Sequence, residues 1–247
     1  MSSTAQDEGK PYARVAKPEE LEQAIKILGE AFRQDPAFNF FGCVKQLPEP
    51  ESAAAAGVET MIRCLLRICY VIGGRVTVVV VPEGSEERIA AAAIWMPPKM
   101  RLSHWNIFTL LRCGLPSVAK AWGLGGLMRF GFEYPATSHL AMEVGYKKKG
   151  SPEDPDNSWY LQIVGTATAF QGRGLMSLLM REGYAHAPNA IFTLEATTAK
   201  SRDQYCHLGY EVVEPLRLGA GAVSVMGLPA TGEDAVGVEC YAMANVS

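Results

Sequence analysis

The stretch Trp159–Ala187, WYLQIVGTATAFQGRGLMSLLMREGYAHA, limits the folds open to this chain more than any other. Its first part is rich in β-formers, Tyr160, Ile163, Val164 and Thr166 among them, and carries no charge before Arg173, as a buried strand does. From Leu175 onward Leu175, Leu178, Leu179 and Tyr184 recur at helical spacing, so the period switches across Gln171-Gly172-Arg173-Gly174. A strand therefore feeds a helix through a glycine turn. The first N–H groups of a helix have no intrahelical partner and carry the positive end of the dipole. Gly172 and Gly174 have no Cβ to hold a ligand off the backbone, and Arg173 adds charge at the mouth, so the turn suits a phosphate. The same arrangement also serves as ordinary packing, and taken alone it leaves both readings open.

Composition narrows the class. At 247 residues, 48% hydrophobic and 20% charged, the chain suits a single large globular domain. A formal net charge of −3 and a pI near 5.9 give no basic patch of the kind nucleic acid demands. The opening MSSTAQDEGK lacks an apolar core, and the purest apolar run, Val76 to Val81, is too short to span a bilayer. The expectation is an intracellular, cytoplasmic protein without a membrane segment. Cys43, Cys64, Cys69, Cys113, Cys206 and Cys240 form no CxxC pair and read as free buried thiols. His104, His139, His186 and His207 are dispersed, with no cluster at metal spacing, so no metal is expected.

In chain order, residues 1–12 read as a disordered lead and Tyr12–Ala16 as a short strand. Lys17-Pro18-Glu19-Glu20 opens a helix whose buried stripe is Leu21, Ala24, Ile25, Leu28, Ala31 and Phe32, ending before Asp35-Pro36. Phe38, Phe40 and Phe41 either fill core or line a pocket. A helix over Ser52–Tyr70 stops at Gly73-Gly74, and Arg75–Val81 and Ile89–Trp95 form an antiparallel hairpin across Pro82–Ser85. Leu102–Leu111 and Leu115–Phe132 read as helical, aromatic and loosened by glycine, either core or the wall of a substrate pocket. Lys147–Gly150 and Pro152–Asn157 read as a solvated loop. Ile191–Ala196 is a strand, Thr197-Thr198 begins a helix to Leu208, and Gly209 ends it. Tyr210–Val213 and Glu239–Met243 are strands, with a short one at Ala222–Met226 in the glycine-rich loop between them.

Three of these pieces together resemble the GCN5-related N-acetyltransferases: Gln171-Gly172-Arg173-Gly174 between strand and helix, Leu194-Glu195-Ala196-Thr197, and Tyr205-Cys206-His207-Leu208-Gly209-Tyr210. AFRQDPAF at Ala31–Phe38, IWMPP at Ile94–Pro98 and CYAM at Cys240–Met243 resemble the branch that contains puromycin N-acetyltransferase. The resemblance covers most of the chain except residues 99–150, an apparent family-variable insert within one domain over residues 13–247. It implies an α/β (α+β) fold: a mixed, mostly antiparallel central sheet with a splayed parallel strand pair and flanking helices.

The resemblance also implies an acyltransferase that takes acetyl-CoA as cosubstrate. Backbone groups at Val164 and Thr166 would hold the pantetheine arm, and N–H groups over Gln171, Gly172, Arg173, Gly174, Leu175 and Met176 the pyrophosphate, in agreement with the helix-terminus argument. Ser201 stands where relatives carry asparagine and belongs to the same cofactor set. Tyr205 maps to the acid that protonates the departing thiolate; a phenol of ordinary pKa near 10 holds its proton at neutral pH. For the oxyanion, a backbone N–H near Val164–Thr166 is the natural donor. Relatives carry a glutamate base at the position of Gln162, and glutamine cannot serve; Glu195 and Glu143 remain as candidates. Met176 replaces a small residue and crowds the phosphates unless it turns to the core. The implied reaction is direct acetyl transfer to the amine of a small molecule, by a monomer or homodimer. The rivals are a protein or peptide N-acetyltransferase and a degenerate acyl-CoA-binding regulatory module.

Overall fold

The computed structural model describes residues 9–84, 86–101 and 107–245. The first eight residues of the lead, Ser85 of the hairpin turn, and the start of the Leu102–Leu111 helix with His104 and Trp105 lie outside them. β1 (Tyr12–Val15), β2 (Arg75–Glu83), β3 (Glu86–Met96), β4 (Ser158–Thr166), β5 (Ile191–Ala196), β6 (Glu211–Leu218) and β7 (Val238–Asn245) form one seven-stranded sheet. Its order is β1-β2-β3-β4-β5-β7-β6, and every pairing is antiparallel except β4–β5. Strand alternation feeds two cores. Val78, Val80, Ala92 and Ile94 face α1 (Leu21–Phe32) and α3 (Ala53–Val71), whereas Val79, Ala91, Ala93 and Trp95 face α7 (Leu175–His186) and α8 (Ala199–Cys206).

Two features of β4 decide where the sheet opens. Ile94 pairs with Ile163 but Trp95 with Leu161, so Gln162 is an extra, unpaired residue in a β-bulge. On the other side β4 pairs with β5 only through Ser158, Tyr160 and the residue between them, opposite Ile191–Thr193. Arg101 pins that joined end: its guanidinium donates to Ser158 Oγ at 2.8 Å and Thr193 Oγ1 at 3.0 Å and covers the Tyr160 ring at 4.3 Å. Beyond this point the strands part, as expected, and among the described residues no strand pairs with the β5-facing edge of β4 from Leu161 to Thr166.

Two segments differ from the sequence expectation. Pro36–Phe41, left open as core or pocket, is a short helix, α2; Asp35 caps it, its carboxylate accepting from Ala37 N (2.9 Å) and Phe38 N (3.2 Å), with proline at the first helical position. The first half of the supposed loop at Lys147–Gly150 is helix. After α4 (Ile107–Cys113) and α5 (Leu115–Met128), a π-helical turn at Arg129–Glu133 leads into α6 (Tyr134–Lys148), which carries the basic run in its last turn. Cations suit that end of a helix, and Lys148 pairs with Glu214 at 2.7 Å and Lys149 with Glu211. At Ala222–Met226 only an isolated bridge forms, Val223 to Pro229. Among the described residues no helix is long and apolar enough to cross a membrane, and no three candidate ligands gather to hold a metal.

Candidate active site

The parted strands β4 and β5 open onto a cavity of about 710 Å³. One end is built from the glycine turn. Gly172 and Gly174 adopt φ of +77° and +74°, the left-handed region that glycine tolerates, and a Cβ at either would meet nothing within 4 Å. Among the described residues, no acceptor receives the N–H groups of Gly172 through Met176; the next, of Ser177, turns back to Gly174 O at 3.1 Å. Five successive donors are thus left without an acceptor at the positive end of α7. This open nest of donors fits an anion such as a pyrophosphate. Gln171 holds the turn against the strand, its Nε2 donating to Thr166 O at 3.3 Å. The Met176 side chain is half-buried and packs against the α7-side core, and the residue also lines the cavity.

Glu195 stands at the other end, on β5. Its Oε2 accepts from the Tyr134 hydroxyl at 2.9 Å and from the Tyr160 hydroxyl, and its Oε1 accepts from Ser138 Oγ. Burial, and then the Glu195 charge, pushes the phenols of Tyr134 and Tyr160 well above their ordinary range. Around this carboxylate the cavity wall is aromatic. Phe41 meets Phe130 at 5.3 Å and Tyr134 at 5.0 Å between ring centres, and Phe38 meets Phe32 at 5.1 Å.

Tyr205, on α8, closes the cavity between the two ends. Burial raises its phenol above 10, and the nearby Asp35 charge adds to the shift. A phenol that keeps its proton through neutral pH is the form a proton donor needs. Asp35 is the second carboxylate on the cavity wall, and its Oδ2 accepts from Thr197 Oγ1 at 2.5 Å. Desolvation lifts its carboxyl above the usual aspartate range, against the three hydrogen bonds that favour the charged form.

Of the residues expected from sequence, Val164, Thr166, Gln171, Gly172, Gly174, Leu175, Met176, Glu195, Ser201 and Tyr205 all line this one cavity. Arg173 does not; it folds back over the Phe170 ring at 5.0 Å. Ser201 turns its hydroxyl into the α8 cap, donating to Thr198 O at 3.0 Å. Glu143 lies half-exposed on α6, 3.3 Å from His139, and is not among the residues that line the cavity. Cys206 is exposed rather than buried, and Cys43 only half-buried. Sequence reasoning missed Asp35, Tyr134, Ser138 and Tyr160. Asp35-Pro36 carried a readable signal, a cap residue followed by proline; nothing local marks the other three.

No protein-family model and no curated protein matches the chain. Solved structures do. Over 95% of its length it is similar to 95% of a histone acetyltransferase HPA2 and related acetyltransferase from Corynebacterium glutamicum, at 20% identity and a TM-score of 0.56. Similar too are the polyamine N-acetyltransferase of Drosophila melanogaster (17% identity, 95% of this chain and 99% of that one, TM-score 0.51) and arylalkylamine N-acetyltransferase 2 from Aedes aegypti (13%, 96% and 100%, 0.54). At such identities the likeness is one of fold. The mostly antiparallel seven-stranded sheet with its parted parallel pair is the fold of the GCN5-related N-acetyltransferases.

Proposed function

We propose that this chain is a GCN5-related N-acetyltransferase of the branch containing puromycin N-acetyltransferase, moving an acetyl group from acetyl-CoA directly to the amine of a small molecule in the cytoplasm. One observation carries the reading: the free N–H nest, Tyr205 and Glu195 face a single cavity at the gap between β4 and β5. Acetyl-CoA, when bound, supplies an activated thioester. The N–H groups of Gly172–Met176 hold its pyrophosphate, and the unpaired β4 edge at Val164–Thr166 holds the arm by backbone hydrogen bonds. A β4 N–H in that segment meets the negative charge that develops on the carbonyl oxygen. Glu195 takes the proton that the attacking amine loses, and Tyr205 gives its phenolic proton to the departing sulfur, regaining one from solvent.

The aromatic wall beside Glu195 supports a compact amine with an apolar body over a basic protein tail. The polyamine and arylalkylamine acetyltransferases of the same fold also act on small amines by name, in keeping with this choice. Calorimetric titration with acetyl-CoA, followed by thiol release across an amine panel, tests the proposal. Micromolar binding with turnover of small amines is the expected result. No binding sinks the enzyme reading, binding without turnover favours a regulatory module, and turnover of peptides alone favours protein acetylation.

A further inference from the structure

Glu195 is held by three hydroxyls that come from two elements of the chain. Tyr160 is on β4, whereas Tyr134 and Ser138 stand one turn apart on α6, within the segment 99–150 that the sequence resemblance leaves out. A carboxylate offers about four lone-pair sites, two on each oxygen. Tyr134 and Tyr160 fill both sites of Oε2, and Ser138 fills one of Oε1, so a single site on Oε1 is left for a ligand. The two tyrosine hydroxyls lie 3.2 Å apart, and with each giving its one proton to Glu195 neither donates to the other.

The helix is shaped to make this contact. Tyr134 N–H reaches back five residues to Arg129 O, closing the π-helical turn at Arg129–Glu133. Such turns hold one residue more than an α-helix and occur mostly where the resulting side-chain placement is used. Taking that residue out would rotate Tyr134 and Ser138 by about 100° relative to α5. The Phe130 ring, stacked at 6.3 Å from Tyr134, is likewise carried to the cavity.

We infer that Tyr134, Ser138 and Tyr160 are positioning residues that fix Glu195 Oε1 toward the acceptor amine, so that the insert sets amine recognition without touching the cofactor half. This rests on the acetyl-transfer reading. The test measures amine binding to the CoA-saturated protein by calorimetry, together with steady-state KM values, for Tyr134→Phe, Ser138→Ala, Ser138→Thr, Glu195→Ala and the Tyr134→Phe/Glu195→Ala double variant. Each hydroxyl deletion is expected to weaken amine binding about tenfold, the size of one hydrogen bond to a charged group. Acetyl-CoA KM stays within about twofold, and Ser138→Thr restores the parent value. In the Glu195→Ala background Tyr134→Phe has no further effect, because its partner is gone. An equal effect of Tyr134→Phe in both backgrounds, or a matching rise in acetyl-CoA KM, overturns the inference while the enzyme reading stands. Absence of thiol release with every amine overturns the enzyme reading and this inference with it.

Discussion

Gly165 sits in β4 between Val164 and Thr166, where α1 crosses the strand. A Cβ there would stand 2.8 Å from Ala31 Cβ and 3.2 Å from Leu28 Cδ2. Carbon pairs rest at about 3.5–4.0 Å, so Gly165→Ala forces α1 back by roughly 0.5–1 Å. Leu28 is fully buried and Ala31 is held by the helix backbone, so neither swings aside. Overpacking of this kind costs about 1–3 kcal/mol. Against it, alanine recovers about 0.5–1 kcal/mol by restricting the unfolded chain. At mid-range the net loss is about 1 kcal/mol, which lowers Tm by roughly 2–4 °C in a chain of this size. Because Ala31 and Phe32 line the cavity, acetyl-CoA KM should rise with the loss of stability. Gly131→Ala is the control: it is helical, a Cβ there meets nothing within 4 Å, and alanine gains about 1 kcal/mol from helix propensity. Scanning calorimetry and urea midpoints on both variants decide the matter. A Gly165→Ala protein as stable as the parent, with unchanged acetyl-CoA KM, refutes the packing argument.

Tyr205→Phe keeps the ring and removes only the hydroxyl, so kcat should fall about 10²–10⁴-fold with little change in either KM, as read by thiol release; full rate would remove Tyr205 from the chemistry. Met176→Ala should lower stability by about 1–3 kcal/mol, since the side chain packs against the core, yet leave acetyl-CoA KM within about twofold; a marked fall in KM would show that Met176 crowds the phosphates. For Asp35 the native carboxyl is raised above the unfolded value of 3.8, so as pH falls the native state takes its proton first. Its contribution therefore favours folding at low pH and is lost as pH rises through the native pKa. Asp35→Asn, which can still cap α2, should flatten that part of the Tm–pH curve and raise Tm at neutral pH relative to the parent; an unchanged curve contradicts the burial argument.

Much of the architecture was legible because it is written in local chemistry. The change of period around Gln171–Gly174, the hairpin over β2 and β3, and the cap at Thr198 each depend on residues within a few positions of one another. Local signals also misled: the lysine run at Lys147–Lys149 is polar enough for a loop, yet Glu211 and Glu214, both on β6, and the helix dipole hold it as the end of α6.

The Glu195 end of the cavity was legible only in part. Glu195 was within reach through its strand and its neighbours Leu194 and Ala196. The groups that give it a direction, however, lie 61, 57 and 35 positions away in sequence. No pattern in YPATSHL predicts that Tyr134 and Ser138 meet a glutamate on β5, because that contact depends on a π turn and on how α6 lies across the sheet. The sequence alone therefore determined the anion cradle, since a glycine turn between strand and helix creates it from backbone groups that are adjacent in the chain. Tertiary structure decided the surroundings of Glu195, whose carboxylate takes its orientation from side chains that only folding brings together.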